Sequence, residues 1–161
     1  MNGDLIFRIL FLVLFLMGTA IRGYYARKGR ATRKKFSPRE KLQEAVQFEG
    51  KALVILYLVQ AVYLIIAIAL YLFFPPWMFW TQFPIPDWFR WLGVCVGILS
   101  LPFLTWVQHI LGKHWSPSLE LLEEHTLVTG GPYRWIRHPM YTVHLVYFFT
   151  WVLVSANLLL L

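Results

Sequence analysis

Chemically capable side chains are concentrated in one short segment of the sequence, residues 130–141. Arg134 and Arg137 offer fixed hydrogen-bond donors for a carboxylate or a phosphate. His138 can donate, accept or exchange a proton near neutral pH. Together these residues predict a site for an anion or a nucleotide at a membrane surface.

Aromatic and turn-forming residues surround these polar groups. Aromatic faces attract cations and could form walls around an adenine ring or a sulfonium. Glycines let the backbone approach a ligand closely, and prolines rigidify the chain on each side. A rigid turn whose arginines touch lipid headgroups would explain the glycines and prolines, but not the position of His138 between Arg137 and Pro139. The aromatic residues are Tyr133, Trp135 and Tyr141, and the turn formers are Gly130, Gly131, Pro132 and Pro139.

The rest of the chain is strongly apolar. Of its 161 residues, 58% are hydrophobic and only 14% are charged, and the mean hydropathy is +0.57. One soluble core cannot bury that much apolar surface, so part of it must contact a bilayer. We therefore predict one all-α integral membrane domain over residues 1–161, a polytopic helical bundle. The predicted spans are residues 5–21, 52–74, 88–111 and 140–161.

Positive charge follows the first span. A cleaved signal peptide is a competing interpretation of residues 5–21, but ten Lys and Arg residues lie between positions 22 and 51. Such a block resists export, so we predict an uncleaved span followed by a basic cytoplasmic loop, residues 22–51. Alternating spans then place the motif segment, residues 112–141, at the cytoplasmic face of a prokaryotic inner (plasma) membrane. This charge needs no nucleic acid to explain it.

Three local features concern the third span and the last apolar region. Pro102 predicts a kink inside the third span, and Cys95 is expected to pack in the core. The last region is either one span over residues 140–161 or a helical hairpin that turns at Ser155-Ala156-Asn157. We prefer the hairpin.

Polar residues beside the spans each admit two interpretations. His144 either faces the same cavity as the motif or makes a helix-packing hydrogen bond. Gln108 and His109 are similarly ambiguous, and their proximity to the polar segment favours the site. Trp115 is either an interfacial anchor or a substrate contact. We expect no metal site, because the spacing of the nearby histidines matches no common ligand pattern. Those histidines are His109, His114 and His125.

The order and spacing of the motif resemble the signature of the isoprenylcysteine carboxyl methyltransferase family, to which phospholipid N-methyltransferases are related. The resemblance covers residues 112–141 well and the earlier spans in general pattern. It implies that S-adenosylmethionine binds from the cytoplasm while a lipid-like substrate reaches the same pocket from the bilayer. The resemblance rests on Leu127, Val128, Gly131, Pro132, Tyr133, Arg137, His138, Pro139 and Tyr141, with Leu111, Gly112, Trp115, Ser116 and His125 upstream.

The same resemblance implies roles for individual residues. His138 and Arg137 are the implied catalytic residues, and substrate contacts are expected at Trp115, Arg134 and His144. The acceptor is expected to be a carboxylate, as in a prenylated cysteine, which is already ionised and needs orientation more than a base. An amine acceptor would first lose a proton, with His138 as the leading candidate base. The implied cofactor contacts are Gly131, Pro132, Tyr133, Arg137, His138, Pro139, Tyr141, His125, Leu127 and Val128.

The sequence departs from the family pattern near its end. In these methyltransferases the motif is followed by a membrane hairpin and an Arg-x-x-x-Glu-Glu segment that completes the cofactor site, and none follows the motif here. Glu123 and Glu124 precede the motif and cannot replace that segment. We therefore expect a truncated version of a longer protein. The alternative functions are a phospholipid amine N-methyltransferase, a nicotinamide-dependent sterol-type reductase and a non-enzymatic truncated membrane protein.

Overall fold

The computed structural model describes residues 2–30, 40, 43, 46–47, 50–111 and 130–160. Within these residues every long element is an α-helix, and strand-like pairing is limited to an isolated bridge between Gln82 and Asn157. The prediction of an all-α fold is confirmed. The α-helices are α1 (Asn2–Arg30), α2 (Lys51–Phe73), α3 (Asp87–Leu111) and α4 (Pro139–Ser155), and 3-10 helices cover Pro75–Thr81, Gly131–Arg134 and Leu158–Leu160.

Three helices are long and apolar enough to cross a membrane, judged by length and composition. They are α2, α3 and the section Asp4–Lys28 of α1. The fourth helix, α4, is also apolar but has only 17 residues. This arrangement is the membrane helical bundle that the composition predicts.

The helices alternate in direction, so the bundle has two distinct ends. At one end Arg90 Nη1, at the start of α3, lies 2.8 Å from Asp4 Oδ1 at the start of α1. Its Nε donates to the carbonyl of Val154, near the end of α4. We call this the Asp4 end. At the opposite end, the motif end, the ring of Tyr25 on α1 lies 6.5 Å from that of His109 on α3.

The helix boundaries differ from the predicted spans mainly in α1. Both α2 and α3 begin and end within one residue of the predicted spans. By contrast, α1 continues to Arg30, so residues 22–30 are helical although we assigned them to a loop. Lys and Arg are good helix formers, and no proline interrupts this stretch. Charge ends the apolar surface there without ending the helix.

Small residues on α3 allow α1 and α4 to approach its backbone. A Cβ on Gly93 would lie 2.7 Å from Leu153 Cβ on α4, and one on Gly97 would lie 2.9 Å from Leu14 Cδ1 on α1. These distances are too short for a side chain, so the glycines permit the close packing typical of membrane helices. Cys95 lies between them in sequence and is exposed, so its predicted role in core packing is wrong.

Aromatic side chains fill the space between α1, α2 and α4. Phe11 is fully buried, and its ring lies 5.1 Å from the ring of Tyr71 and 5.9 Å from that of Trp151. Both pairs are edge-to-face, the arrangement that aromatic quadrupoles favour. Tyr147 also donates a hydrogen bond to the Leu14 carbonyl on α1. The N-terminal helix is therefore part of the core that holds α4 in place.

The chain turns immediately after α4. Ala156 adopts a left-handed conformation with φ 51°, which ends the helix at Ser155. Asn157 is fully buried, and its Oδ1 accepts the Leu159 N–H at 2.9 Å. Tyr63 on α2 then donates to the Leu159 carbonyl at 2.8 Å. The turn lies where the hairpin interpretation places it, and α4 does not continue as one helix through residue 160.

Candidate functional site

The turn that opens the motif requires glycine at position 131. Gly131 has φ +61°, a left-handed conformation that strains other residues. A Cβ at this position would also collide with Cδ1 of Ile110, near the end of α3. The same Cβ position lies 3.7 Å from the ring of Trp106. The motif backbone therefore packs directly against α3, which fixes the segment at the motif end of the bundle.

Two prolines shape the backbone on each side of the polar residues. Pro132 begins the short 3-10 helix, and its carbonyl accepts the N–H groups of Trp135 at 3.2 Å and Ile136 at 3.0 Å. Pro139 begins α4, a position where its missing N–H leaves no intrahelical bond unmade. Both proline side chains are buried. The two prolines therefore contribute to the predicted cofactor site by setting the path of the backbone.

His138 is held by its backbone and presents its ring outward. Its carbonyl accepts both the N–H and the Oγ1 hydroxyl of Thr142, each at 3.1 Å. Its side chain makes no capping hydrogen bond and is exposed. The ring lies 5.8 Å from that of Tyr141. Within the described residues, no hydrogen bond occupies the imidazole nitrogens, so they can bind a ligand.

The motif arginines are also free of protein partners in the described part of the chain. Arg134 and Arg137 are exposed, and the ion pairs found there all belong to Arg90 at the Asp4 end. Trp135 is 74% exposed and Tyr141 is 75% exposed, which places large aromatic surfaces beside these cations. The motif end thus offers unpaired guanidinium groups, an imidazole and two open aromatic rings.

Tyr133 differs from the other aromatic residues of the motif because it is half-buried. Burial disfavours a phenolate and raises the pKa of the Tyr133 hydroxyl above its usual value. The hydroxyl therefore stays protonated throughout the physiological range. It can donate a hydrogen bond to a ligand.

His144 belongs to a second group of contacts, centred on Met140. Its Nδ1 lies 2.7 Å from the Met140 carbonyl, which can only accept, so Nδ1 carries the proton. Gln108, only 3% exposed, donates from Nε2 to the Met140 sulfur at 3.8 Å. The His144 ring packs near Phe148, with centroids 6.1 Å apart. Its Nε2 is buried and has no hydrogen-bond partner among the described residues.

The structure therefore divides the predicted site residues into groups. His138 and Tyr141 are in ring contact, whereas no contact joins His144 to either of them in the described structure. The described His, Cys, Asp and Glu side chains include no group of three that could hold a metal ion. Several predicted residues lie outside the described part of the chain, and they are Trp115, His125, Leu127, Val128 and His114.

Two further contacts of the motif come from residues that the sequence did not single out. Ile110 and Trp106 on α3 meet the Gly131 turn, and Met140 connects Gln108 to His144. Ile110, Trp106 and Met140 are apolar, so their types gave no functional signal. Only their position, near the ends of the helices that flank the motif, could have indicated that they contact it.

Comparison with known proteins finds a family model that matches the second part of the sequence. Residues 91–161 match the model of the isoprenylcysteine carboxyl methyltransferase (ICMT) family. The chain is also 37% identical over 54 residues to YpbQ of Bacillus subtilis, an uncharacterised protein, an alignment that covers 33% of this chain. It spans only about a third of that relative's length, 32%. The resemblance expected from the motif is thus confirmed by the isoprenylcysteine carboxyl methyltransferase family model over residues 91–161, a little less than half of the chain.

Proposed function

We propose that this protein is a membrane methyltransferase that moves a methyl group from S-adenosylmethionine to a carboxylate of a lipid-like substrate, such as a prenylated cysteine. One observation carries the proposal. The side chains of Arg137, His138 and Tyr141 are exposed, have no hydrogen-bond or ion-pair partner among the described residues, and lie close together where the bundle ends. They lie inside the region that matches the methyltransferase family.

The side chains of the described motif residues match the chemical groups of S-adenosylmethionine. The guanidinium group of Arg134 can bind its carboxylate, which leaves Arg137 for the acceptor. The open rings of Trp135 and Tyr141 can face its adenine or its sulfonium. When bound, it supplies an electrophilic methyl group: the C–S bond breaks with its electron pair left on sulfur, and an acceptor lone pair forms the new bond.

The protein's contribution to this reaction is orientation. An ionised carboxylate already carries the lone pair that attacks, so no residue has to remove a proton. Arg137 can hold that carboxylate in line with the methyl group. Methylation converts the charged carboxylate into a neutral methyl ester.

An amine acceptor is the second candidate, and the state of His138 supports it. The imidazole nitrogens of His138 are unoccupied by any described residue, so the ring can accept the proton that an ammonium must lose. The two acceptors predict different products. A methyl ester is hydrolysed by base, whereas a methylated amine is not.

The experiment reconstitutes the protein in proteoliposomes with a prenylcysteine acceptor and S-adenosylmethionine labelled in its methyl group. Label should enter the lipid fraction and leave it as methanol on treatment with base. His138→Ala should lower the initial rate, whereas Lys28→Ala, an exposed cation at the same end, should not. Label that is stable to base would indicate an amine acceptor and contradict the proposed carboxylate. Absence of S-adenosylmethionine binding in calorimetry would overturn the methyltransferase proposal.

The orientation that we propose puts the motif end in the cytoplasm of a prokaryotic cell. Positively charged residues favour that side of a membrane. Cysteine labelling on a Cys95→Ser background tests it: a cysteine at Lys28 should react only after permeabilisation, and one at Trp80 should react from outside. The reverse pattern would invert the orientation. The described cations of the motif end are Arg22, Arg27, Lys28, Lys51, Arg134 and Arg137, whereas the Asp4 end has Arg8 and the ion-paired Arg90.

A further inference from the structure

The first turn of α4 carries part of the motif but begins without a side-chain cap. His138 occupies the N-cap position, and its side chain makes no capping hydrogen bond. The first N–H groups of a helix have no intrahelical partner, so an uncapped first turn frays easily. The bonds from Thr142 to the His138 carbonyl join two residues of the same segment and do not attach it to another helix. The place of Tyr141 in this turn therefore depends on contacts with the rest of the bundle.

Met140, the second residue of α4, receives hydrogen bonds from two sides. Gln108, near the end of α3, donates from Nε2 to the Met140 sulfur at 3.8 Å. His144, one turn later on α4, donates from Nδ1 to the Met140 carbonyl at 2.7 Å. Met140 itself is half-buried and lies directly before Tyr141. These contacts hold the first turn of α4 between an α3 side chain and the next turn of its own helix.

Gln108 is an unexpected residue at its position on α3. Its side chain is only 3% exposed, and its neighbours Leu104 and Val107 are fully buried. A leucine would fill this space without removing an amide from water. A thioether is a weak acceptor, so the bond to Met140 contributes little to stability. What it adds is direction, because a hydrogen bond fixes where Met140 lies along α3 and apolar packing alone does not.

His144 differs from His138 in the state of its ring nitrogens. The Nδ1 proton of His144 is engaged by the Met140 carbonyl, and its Nε2 is buried without a described partner. Neither nitrogen is open to a ligand, whereas the His138 ring is exposed. The His144 ring is also held at its face near Phe148. His144 can therefore influence the motif through Met140, and not by touching a ligand.

We propose that Gln108 and His144 are positioning residues that act through Met140 to fix the first turn of α4, and with it Tyr141 and His138, in the geometry needed for methyl transfer. This inference rests on the proposed function for its kinetic consequences. Successive residues of an α-helix point about 100° apart, so a rotation at Met140 turns Tyr141 by the same amount. A displacement of about 1 Å at a reacting group can lower a rate by about 100-fold.

The first test observes the contacts without any cofactor. The protein is prepared in lipid nanodiscs with isotope-labelled methionine methyl groups, and Met140→Leu identifies which of the four methionine NMR signals belongs to Met140. Gln108→Leu and His144→Phe should each shift that signal and increase the mobility of the methyl group. Gln60→Leu replaces an exposed glutamine of α2 and is the matched control, which should leave the signal unchanged. An unchanged Met140 signal in both motif-end variants would overturn the proposal.

The second test measures steady-state kinetics with a prenylcysteine acceptor. Gln108→Leu should lower kcat about tenfold, while the KM for the acceptor and the affinity for S-adenosylmethionine change by less than about twofold. This split is expected because the side chains of Arg134 and Arg137, which are proposed to bind the ligands, precede α4 and remain in place. A higher KM with unchanged kcat would indicate a binding role and contradict positioning.

Two further comparisons distinguish the hydrogen bonds from simple packing. His144→Asn keeps a short donor near the place of Nδ1 and should retain most of the rate, whereas His144→Phe keeps the ring and should lose it. Equal losses in these two variants would reject the role of the donor. Gln108→Leu combined with Met140→Leu should lower kcat no more than Gln108→Leu alone, since both remove the same contact. Additive losses would show that the two residues act independently and refute the proposed link.

The spectroscopic and kinetic results separate this proposal from the proposed function. If the Met140 signal responds as expected but the protein transfers no methyl group, the proposed reaction is rejected and the positioning of the turn by Gln108 and His144 is retained. If methyl transfer proceeds at the same rate in Gln108→Leu and His144→Phe, the reaction is retained and the positioning role is rejected.

Discussion

At the Asp4 end of the bundle Arg90 is 7% exposed and is fully engaged, whereas at the motif end Arg137 is exposed and engages no described residue. The Arg90 guanidinium binds Asp4 and the Val154 carbonyl, and it lies 3.8 Å from the centroid of the Phe7 ring. These contacts connect α1, α3 and α4. One arginine holds helices together, and the other remains available to a ligand.

The difference shows where this chain uses its polar groups for stability and where it leaves them for chemistry. At the Asp4 end, Asn157 is fully buried and hydrogen-bonded within its turn. At the motif end, the Thr142 contacts hold the His138 backbone and leave the ring open. Mutations at the two ends should therefore affect different measurements.

The largest effect is expected from Arg137→Ala. In the proposed function Arg137 is the charged donor that holds the reacting carboxylate, so its removal should lower methyl transfer about 100-fold. The free energy of unfolding should change by less than about 0.5 kcal/mol, because this exposed side chain has no described partner to lose. Labelled methyl transfer and detergent-induced unfolding measure the two quantities. Arg27→Ala, another exposed cation of the motif end, is the control, and an equal loss of rate in that variant would contradict a specific role for Arg137.

Arg90→Ala should show the reverse pattern. It removes a charge-assisted hydrogen bond to Val154 and a cation–π contact with Phe7, which together stabilise the fold by about 2 kcal/mol. The exposed ion pair with Asp4 adds little, since Asp4 is 57% exposed. Unfolding in mixed micelles should therefore shift strongly in Arg90→Ala and weakly in Asp4→Asn. A larger effect of Asp4→Asn would mean that the ion pair, not the helix contacts, is decisive.

Gly131→Ala tests how rigidly the motif turn depends on α3. The positive φ costs an alanine about 1 kcal/mol, and its Cβ would also collide with Ile110. We expect S-adenosylmethionine affinity to fall about fivefold, from a displaced turn, in calorimetry. Adding Ile110→Ala should restore part of that loss, since the collision is relieved and the strained φ remains. Gly130→Ala should have little effect, because its φ is −87° and its Cβ would meet open space.

The smallest effect concerns Tyr133 and appears only in alkaline solution. Because burial raises the pKa of Tyr133 in the folded protein, the folded state keeps its proton more firmly than the unfolded state. This stabilisation is present below the unfolded tyrosine pKa, about 10, and is lost as pH rises through the folded value. The difference between the ultraviolet titrations of the wild type and Tyr133→Phe isolates this tyrosine, and it should ionise later than a tyrosine of the unfolded chain. A difference centred at or below the unfolded value would contradict the effect of burial.

The sequence predicted the transmembrane part of the fold with good accuracy for a simple reason. A bilayer requires long uninterrupted apolar runs, and the runs that became α2 and α3 are bounded by polar or helix-breaking residues. For α1 the same reasoning failed, because hydropathy reports the end of the apolar surface and not the end of the helix. Cys95 failed for a related reason, since an apolar run does not reveal which of its faces is buried.

The candidate site was predictable in residue type but not in arrangement. The glycine, proline, arginine and histidine pattern located the motif, and the prolines and Gly131 adopt the turn that it indicates. His144 illustrates what was missed. Its spacing from the motif left two interpretations open, and the hydrogen bond to the Met140 carbonyl supports the helix-packing one, while its buried Nε2 stays without a described partner.

The sequence by itself determined that this chain forms membrane helices, where the polar motif lies and which family its second half resembles, because each depends on local order and composition. Only the tertiary structure decided that Arg90 closes the Asp4 end, that Gly93 and Gly97 face Leu153 and Leu14, and that the Gly131 turn packs against Ile110. Each of these features joins residues on different helices. Their side chains meet only after the helices have packed, so no pattern along one helix could specify them.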